Sequence, residues 1–353
     1  MPDSPRLRCR LTAAAAGAAV LLSSCSSPPP PAPEPTGAQL ERAWRIAVGE
    51  DPLDQTIAQL YAQVLNAHET PAVVVEGEQD AASLAAALAE EPEPAAPEED
   101  AEESPAADER YEMVLARTMP LAEQLDAEGY AALMDGDIAP AAAPGDLTGL
   151  VQDQLTEAEL LEPAAVVMGT DVLVTTITAE QLEVEAEEEA SLQALAEICD
   201  ELTVGTAAQQ AEPAQQSEAA EQSVLAQQLE EVYDCEPEEL VTAEEDELID
   251  LLITAEIDAA LLSRTHPGAA ENALVDLPDE ERAFAEDQYV PVVSVRISDQ
   301  VPDVVDDVSR ALNEEALESL RRLTHGPEGL SPEEAAEYWL VEHGFIAAPD
   351  SWG

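Results

Sequence analysis

The sequence predicts a protein of the α/β class, in which helices flank β-sheets. Segments with the apolar spacing of helices alternate along the chain with short β-branched segments, which is the pattern of sheets covered by helices. The chain has 353 residues, of which 46% are hydrophobic. This length suggests about two domains, and this hydrophobic content is enough for a large core.

The first elements form two strand–helix units, followed by an insertion. The helix Leu53–Leu65 is predicted from the helical spacing of its apolar residues, and the helix after it is rich in Ala. Residues 90–109 consist mainly of acidic residues, Pro and Ala without large apolar side chains, so we expect a solvated, disordered insertion. The units are Arg45–Val48, Leu53–Leu65, Ala72–Val75 and Ala81–Leu88.

The middle of the chain continues the alternation. Residues 111–135 are expected to be helical, and residues 207–222 form a second polar stretch, rich in Gln. The extended segments are Ile138–Ala143, Val166–Ile177, Leu202–Val204, Leu240–Thr242, Ile257–Leu262, Ala273–Leu277 and Tyr289–Ile297, and the helices are Leu192–Ile198, Val224–Tyr233 and Glu245–Thr254.

The C-terminal part is predicted to be helical. Asp303–Leu312 places its apolar residues on one face, and Asn313 can cap the helix that follows. Ser331 precedes Pro332, Glu333 and Glu334, a pattern typical of a helix start with a capping box, and Gly344 is a natural C-cap.

The charge of the chain is strongly negative. There are 77 acidic residues and 13 basic ones, and every basic residue is Arg. Such a surface cannot supply the cations that bind nucleic acid, and an anionic membrane would repel it. We interpret the acidity as a property of solubility in a salty or charged environment, in preference to a role in attracting cations.

The N-terminus carries the features of an export signal. Three arginines precede an apolar stretch of about a dozen residues, which is too short for a transmembrane helix. The small residues before Cys25 resemble the lipobox of bacterial lipoproteins, so we predict a signal peptide over 1–24 and a lipid on Cys25; a Cys in an ordinary signal peptide is the alternative. Residues 25–38 would then form a Pro-rich, semi-rigid linker.

Two cysteines remain after export. Cys9 leaves with the signal peptide and Cys25 carries the lipid, so Cys199 and Cys235 lie in an oxidising compartment. One disulfide between them is the simplest interpretation, and two buried free thiols are the alternative. Metal binding by this pair is not expected, because no His lies near either residue.

The order of the elements resembles the substrate-binding proteins of osmoprotectant ABC importers, which carry glycine betaine, choline and related quaternary amines. The resemblance extends from Trp44 to Ile346 apart from the insertions. The segments that carry it are Ala273–Asp279, Tyr289–Val293, Val301–Asp303, Ala335–Leu340 with Gly344 and Phe345, Ile46–Gly49 with Gln55, Leu60 and Tyr61, Leu133–Ile138 and Thr254–Ala259.

The resemblance implies a two-lobed, type II binding-protein fold with mixed sheets and a hinge between the lobes. Residues 39–170 and 263–353 would form lobe I, and residues 171–262 would form lobe II. A solute held in the cleft would close the lobes, and a membrane permease would recognise the closed form. The location would be the outer face of the cytoplasmic membrane, through the lipid anchor.

The binding site departs from the family pattern. A quaternary ammonium requires aromatic faces, but the chain has only eleven aromatic residues, most of them at core positions on helices, and Leu147 stands where a cleft motif of the family has a ring. If a cation binds, the resemblance places candidate partners at cleft loops; otherwise these are ordinary strand-end and cap residues. The carboxylates are Glu50, Asp51, Asp146 and Asp171, and the hydroxyl donors are Thr148 and Thr265.

The sequence favours one class of function over two others. A binding protein that delivers an osmoprotectant-like or cationic solute to a permease is the first, and an envelope scaffold without a small ligand is the alternative. An enzyme is not expected, because the sequence contains no catalytic or nucleotide-binding motif, and no cofactor or metal is predicted. A lone His266 near a cleft loop is more typical of a surface residue than of a ligand-binding one.

Overall fold

The computed structural model describes residues 28–77, 79–89, 111–134, 143–186, 190–207, 228–277, 279–325 and 329–349. Several predicted features lie outside these residues, wholly or in part. They are the signal peptide with Cys25, the acidic insertion, most of the strand Ile138–Ala143, most of the Gln-rich stretch and the beginning of the helix Val224–Tyr233. Among the described residues, no helix is both long and apolar enough to cross a membrane.

The first of two five-stranded sheets combines the beginning and the end of the described chain. Its spatial order is β2-β1-β3-β10-β4, in which β10 is antiparallel to both of its neighbours and β1 is parallel to β2 and β3. The strands are β1 (Trp44–Val48), β2 (Ala72–Glu76), β3 (Met113–Arg117), β4 (Ala158–Leu160) and β10 (Tyr289–Ser294).

Strand β3 corrects one prediction, because it occupies a segment that was expected to be helical. Met113–Arg117 is an uninterrupted apolar run up to its final Arg, and its first four residues are buried. A strand covered on both faces needs no polar alternation, so a short run of this kind cannot be distinguished from a buried helix by its period.

Helices cover both faces of the first sheet. Alternate residues of β1 point to opposite sides, so that Ile46 and Val48 join one core cluster and Ala47 joins the other. The helices are α1 (Pro52–Ala67), α2 (Ala81–Ala89), α3 (Thr118–Leu125), α4 (Ala127–Met134), α5 (Pro144–Gln154), α10 (Val304–Ala311), α11 (Glu314–Thr324) and α12 (Pro332–Glu342). We call this sheet and these helices the first lobe.

The second sheet has the order β7-β6-β8-β5-β9 and is also mixed. Strand β5 is antiparallel to β8 and β9, whereas β6 is parallel to β7 and β8. The strands are β5 (Thr170–Val174), β6 (Thr203–Ala207), β7 (Glu239–Ala243), β8 (Ala259–Ser263) and β9 (Val275–Leu277), and the helices are α6 (Thr176–Ala186), α7 (Leu192–Ala196), α8 (Glu245–Ile253) and α9 (Pro267–Glu271). These elements form the second lobe.

The pairing of β9 differs from the predicted division of the chain. The sequence analysis ended lobe II at Leu262, but β9 pairs with β5 through Val172 and Leu277. Residues 275–277 therefore belong to the second sheet, because β5 is a central strand and needs a partner on each side. A disulfide joins Cys199 and Cys235 within this lobe.

Two segments connect the lobes. One runs from Leu161 to Gly169, between β4 and β5, and the other runs from β9 to β10. An isolated antiparallel bridge between Met168 and Asp287 joins the two segments. The α/β class with two mixed, helix-flanked sheets is thus confirmed.

The caps predicted for the C-terminal helices are present. Asn313 accepts a hydrogen bond from the Ala316 amide, and Ser331 and Glu334 form a reciprocal capping box. Gly344 has φ +75°, the left-handed conformation that a helix C-cap requires, and Phe345 stacks on Trp339.

The described part of the Pro-rich segment does not extend away from the body of the protein. The Ala347 amide donates a hydrogen bond of 2.8 Å to the Pro29 carbonyl, and Pro35 is buried. A recess of about 170 Å³ separates residues 31–34 from α1 and α12. The described part of the predicted linker therefore contacts the body of the protein at Pro29 and Pro35.

Candidate functional site

The hinge determines which ends of the strands face the other lobe. The connecting segments leave the first sheet beside β4 and β10, and β10 begins opposite the carboxyl end of β3, where Tyr289 pairs with Arg117. In the second sheet, the hinge-side ends are the start of β5 and the end of β8, where Thr170 pairs with Ser263. In open α/β sheets, ligands bind outside the carboxyl ends of the strands. The candidate site is therefore the cleft bordered by these ends.

Arg117 is the most distinctive residue on the first-lobe side of this cleft. Its side chain is exposed, although the four preceding residues of β3 are buried. Neighbouring groups still shield part of it from solvent, and this desolvation acts to lower its pKa. The charges of Asp54, Tyr289, Asp287 and Asp51 outweigh that effect and raise the pKa. Within the described residues, Arg117 forms no ion pair of 4.0 Å or less. The guanidinium is a fixed cation that is accessible from the cleft.

The two carboxylates near Arg117, the buried Asp54 and the half-buried Asp287, already have protein donors. Asp54 accepts a hydrogen bond of 2.6 Å from the Tyr289 hydroxyl. Asp287 accepts hydrogen bonds from the Thr118 hydroxyl at 2.7 Å and from the Met119 amide at 2.9 Å, so it caps the start of α3. Burial raises the pKa of both carboxyls, while Arg117 lowers it. These groups support the cleft wall rather than neutralise Arg117 by direct contact.

Glu50 and Asp51 lie at the carboxyl end of β1, next to this group. Asp51 caps α1, since its Oδ1 accepts hydrogen bonds from the amides of Leu53 at 2.8 Å and Asp54 at 3.2 Å. Glu50 is exposed, and its backbone carbonyl accepts a hydrogen bond from the Gln55 side chain. Asp51 thus has a structural role but retains a solvent-facing oxygen.

Asp146 and Thr148 make their hydrogen bonds at the beginning of α5. The Asp146 carboxylate accepts a hydrogen bond of 3.2 Å from the Ala143 amide. The Thr148 hydroxyl donates a hydrogen bond of 2.8 Å to the Pro144 carbonyl. These contacts are those of an ordinary helix start, which was the alternative interpretation of both residues.

Asp171 and Thr265 lie on the second lobe beside Arg264. Arg264 bridges two carboxylates, with its Nε 2.9 Å from Asp171 and its Nη1 3.0 Å from Glu286. Burial raises the pKa of Asp171, and the charge and hydrogen bond of Arg264 oppose that shift. Thr265 is buried in the loop after β8. Asp171 is therefore neutralised locally.

The aromatic side chains mostly form the cores, as predicted for most of them. Tyr61, Tyr289 and Trp339 are buried in one cluster of the first lobe, and Tyr233 and Phe284 are buried in the second lobe. Tyr130 of α4 is only half-buried, and partial burial together with the charges of Glu123 and Asp287 raises the pKa of its hydroxyl. Tyr130 is thus a ring in the neighbourhood of Asp287.

The predicted residues fall into separate groups. Glu50 and Asp51 lie near Arg117, Asp171 and Thr265 flank Arg264, and Asp146 and Thr148 lie in the first two turns of α5. Sequence reasoning missed Arg117, although an Arg that ends an apolar run in a chain with 13 basic residues was an available signal. His266, expected to be a surface residue, is buried, and its Nδ1 accepts a hydrogen bond from the Gly268 amide. Among the described residues, no group of His, Cys, Asp and Glu could hold a metal ion.

Solved structures show the same fold. A crystal structure described as a glycine betaine/carnitine/choline ABC transporter has 15% identity and a TM-score of 0.62, covering 86% of this chain and 99% of its own. Apo YehZ from Escherichia coli has 16% identity and a TM-score of 0.62, with the same coverage. None of the curated protein sequences matches this chain significantly.

A family comparison covers most of the chain. Residues 123–342 match the model described as the substrate-binding domain of ABC-type glycine betaine transport systems. The match spans more than half of the sequence and includes both connecting segments, the whole second lobe and the return to the first lobe. The chain therefore belongs to the family of substrate-binding domains of ABC-type glycine betaine transport systems.

Proposed function

We propose that this protein captures a small osmoprotectant-like or cationic solute in the interlobe cleft and delivers it to an ABC permease in the membrane. The observation that carries the proposal is Arg117, an exposed cation at the hinge end of a central strand with no ion pair among the described residues. A ligand carboxylate would pair with this guanidinium and make charge-assisted hydrogen bonds. The proposal therefore favours a zwitterion over a simple cation.

The cationic end of such a solute would face carboxylates. Glu50 and Asp51 lie at the end of β1, close to the Arg117 group, and Tyr130 can offer an aromatic face. Asp171 and Thr265 would border the site from the second lobe, and Asp146 and Thr148 from α5. Because Asp171 is already paired with Arg264, we expect its contribution to be smaller than that of Asp51.

Delivery would depend on closure of the two lobes. A solute that contacts both lobes binds the closed arrangement better than the open one, so it shifts the population toward closure. The two connecting segments are the only covalent links between the described lobes, and their pairing at Met168 and Asp287 would keep them moving together. No chemical step is part of this function.

A lipid on Cys25 would hold the protein at the outer face of the cytoplasmic membrane. The basic, apolar and small-residue sequence before Cys25 supports this part of the proposal. Mass spectrometry of the N-terminal peptide from the membrane fraction tests it. We expect a diacylglyceryl mass on Cys25, and an unmodified Cys25 peptide in the soluble fraction would contradict the anchor.

A scaffold without a small ligand is the less favoured alternative. The scarcity of aromatic rings near the cleft supports it, but a scaffold needs neither a hinge nor an exposed arginine inside a cleft. A thermal-shift panel of glycine betaine, carnitine, choline and a polyamine separates the two functions. Stabilisation by at least one solute supports binding, whereas no shift across the whole panel contradicts it.

A further inference from the structure

The two lobes also meet outside the hinge, along helix α11. The buried residues Ala316, Leu317 and Leu320 fix this helix to the core of the first lobe. Its last turn and the residue that follows carry Arg321, Arg322 and His325. These three side chains face the second lobe, where they approach the start of α8 and the end of α9.

Among the described residues, several contacts across this boundary pair a basic group with an acidic or polar one. Arg321 Nη1 donates a hydrogen bond of 3.0 Å to Ser263 Oγ, and its Nη2 lies 3.9 Å from Glu245 Oε2. Arg322 Nε lies 3.9 Å from Glu271 Oε1, and His325 Nε2 lies 3.8 Å from Asp246 Oδ1. We call these residues the ionic seam.

Each side of the ionic seam belongs to a different rigid body. Glu245 and Asp246 begin α8, and the residues Leu248, Ile249 and Leu252 of this helix are buried in a core of the second lobe. The Ser263 amide also donates a hydrogen bond of 2.8 Å to Glu245 Oε1, which fixes that carboxylate in place. Separation of the lobes would therefore break the seam instead of carrying it along with one lobe.

The distribution of charge makes this contact unusual for the chain. Between residues 170 and 277 the only Lys or Arg is Arg264, which its two carboxylates already engage. His266 lies on the second lobe, 3.3 Å from Asp246. Two strongly acidic lobes repel one another, and the cations of α11 are placed where they offset that repulsion. The helix dipole of α8 favours the same arrangement, because Glu245 and Asp246 lie in its first turn and face cations from the last turn of α11.

We propose that the ionic seam is a salt-responsive latch that favours the arrangement of the lobes in which these contacts form, here called closed. Its pairs are partly exposed, with 25% of the Arg321 side chain and 29% of the Glu245 side chain accessible, so dissolved salt screens them. Long-range repulsion between the lobes is already screened at about 0.1 M salt, where the Debye length is about 10 Å, whereas contact pairs weaken further toward about 1 M. Above about 0.1 M, added salt should open the lobes.

The test measures the distance between the lobes without any ligand, so its outcome does not depend on the proposed solute. Spin labels are attached to the full chain through unnatural amino acids at Glu128 of α4 and Asp250 of α8, both exposed, and distances are recorded by double electron–electron resonance. We expect the open population of the wild type to rise between about 0.1 M and 1 M NaCl. An unchanged or more closed distribution would overturn the proposal.

Variants separate the seam from general charge effects. Arg321→Gln should raise the open-to-closed ratio about two- to fivefold at about 0.1 M salt and reduce the further response to salt. Glu245→Gln should have little additional effect in the Arg321→Gln background, because the two residues act through the same pair. Arg310→Gln is the matched control, since Arg310 pairs with Asp307 within α10 and crosses no boundary. Equal effects of Arg310→Gln and Arg321→Gln would contradict the latch.

Discussion

Met168 and Asp287 exchange two backbone hydrogen bonds of 2.8 Å, one from each amide to the other residue's carbonyl. These residues lie on the two segments that connect the lobes. The Asp287 side chain also accepts hydrogen bonds from Thr118 and from the Met119 amide. A single residue therefore joins the two hinge segments to the start of α3, next to Arg117.

Removal of the Asp287 carboxylate should destabilise the first lobe. In Asp287→Ala, the Met119 amide and the Thr118 hydroxyl lose their acceptor in a partly buried site, which we expect to cost about 1–3 kcal/mol in the free energy of unfolding. Urea denaturation measures the loss. Asp303→Ala is the control, because Asp303 precedes α10 without a side-chain cap hydrogen bond. Equal losses of unfolding free energy in the two variants would show that the side-chain hydrogen bonds of Asp287 do not stabilise the fold.

Asp276 should make the protein less stable at neutral pH than at acidic pH. Partial burial raises its pKa to about 6, Asp171 and Glu314 add to the shift, and Arg264 opposes it. The folded state therefore binds the proton more tightly than the unfolded state, whose carboxyl has a pKa of about 3.9. Its contribution to stability is present below about pH 4 and is lost as the pH rises through about 6.

The variant Asp276→Asn tests this pH dependence. Its Tm should exceed that of the wild type at about pH 7.5, where the wild-type carboxylate is charged, and the difference should shrink toward pH 4. Asp250→Asn on the exposed face of α8 is the control, with no such trend expected. A Tm difference that stays the same at both pH values would refute Asp276 as the origin of this pH dependence.

His266 should make the protein more stable at neutral pH than at acidic pH. Burial lowers its pKa below the usual 6.5, Arg321 and His325 add to that shift, and Glu245 and Asp246 oppose it. The unfolded state then binds the proton more tightly, so stability is present above about pH 6.5 and is lost as the pH falls through the lowered pKa. His266→Asn keeps an acceptor for the Gly268 amide and should flatten the Tm profile below pH 6.5. His68→Asn, at an exposed position, should leave the profile unchanged.

The disulfide should stabilise the second lobe through the unfolded chain. Cys199 and Cys235 are separated by 36 residues, and closing a loop of this size in the unfolded state is worth about 3–4 kcal/mol in the chain-entropy model. Urea denaturation of Cys199→Ser/Cys235→Ser should show this loss, and a reductant should lower wild-type stability by a similar amount. A reductant that also destabilises the double variant would point to another cause.

The fold was largely predictable because most elements have clear local signals. Ser331 and Asn313 indicate helix starts, and β-branched runs such as Ala72–Val75 indicate strands. Local signals failed for β3, whose apolar run has no diagnostic period, and for β9, whose sheet is determined by a partner about a hundred residues away.

The candidate site was less predictable, because function depends on which charges lack a partner. Asp171 carries a carboxylate of the kind that binds cations, but Arg264, 93 positions away, neutralises it. Arg117 looks unremarkable in the sequence, and only the fold places it at the hinge end of a central strand without an ion pair among the described residues. Pairing of charges is a tertiary property that a single sequence does not reveal.

Isothermal titration calorimetry with glycine betaine, on the wild type and on Arg117→Gln, tests the central claim most directly. We predict micromolar binding to the wild type, affinity weakened by about 10- to 100-fold in Arg117→Gln, and no change in Arg310→Gln, because only Arg117 would pair with the ligand carboxylate. Undiminished affinity in Arg117→Gln, or no heat from glycine betaine with the wild type, would contradict the account.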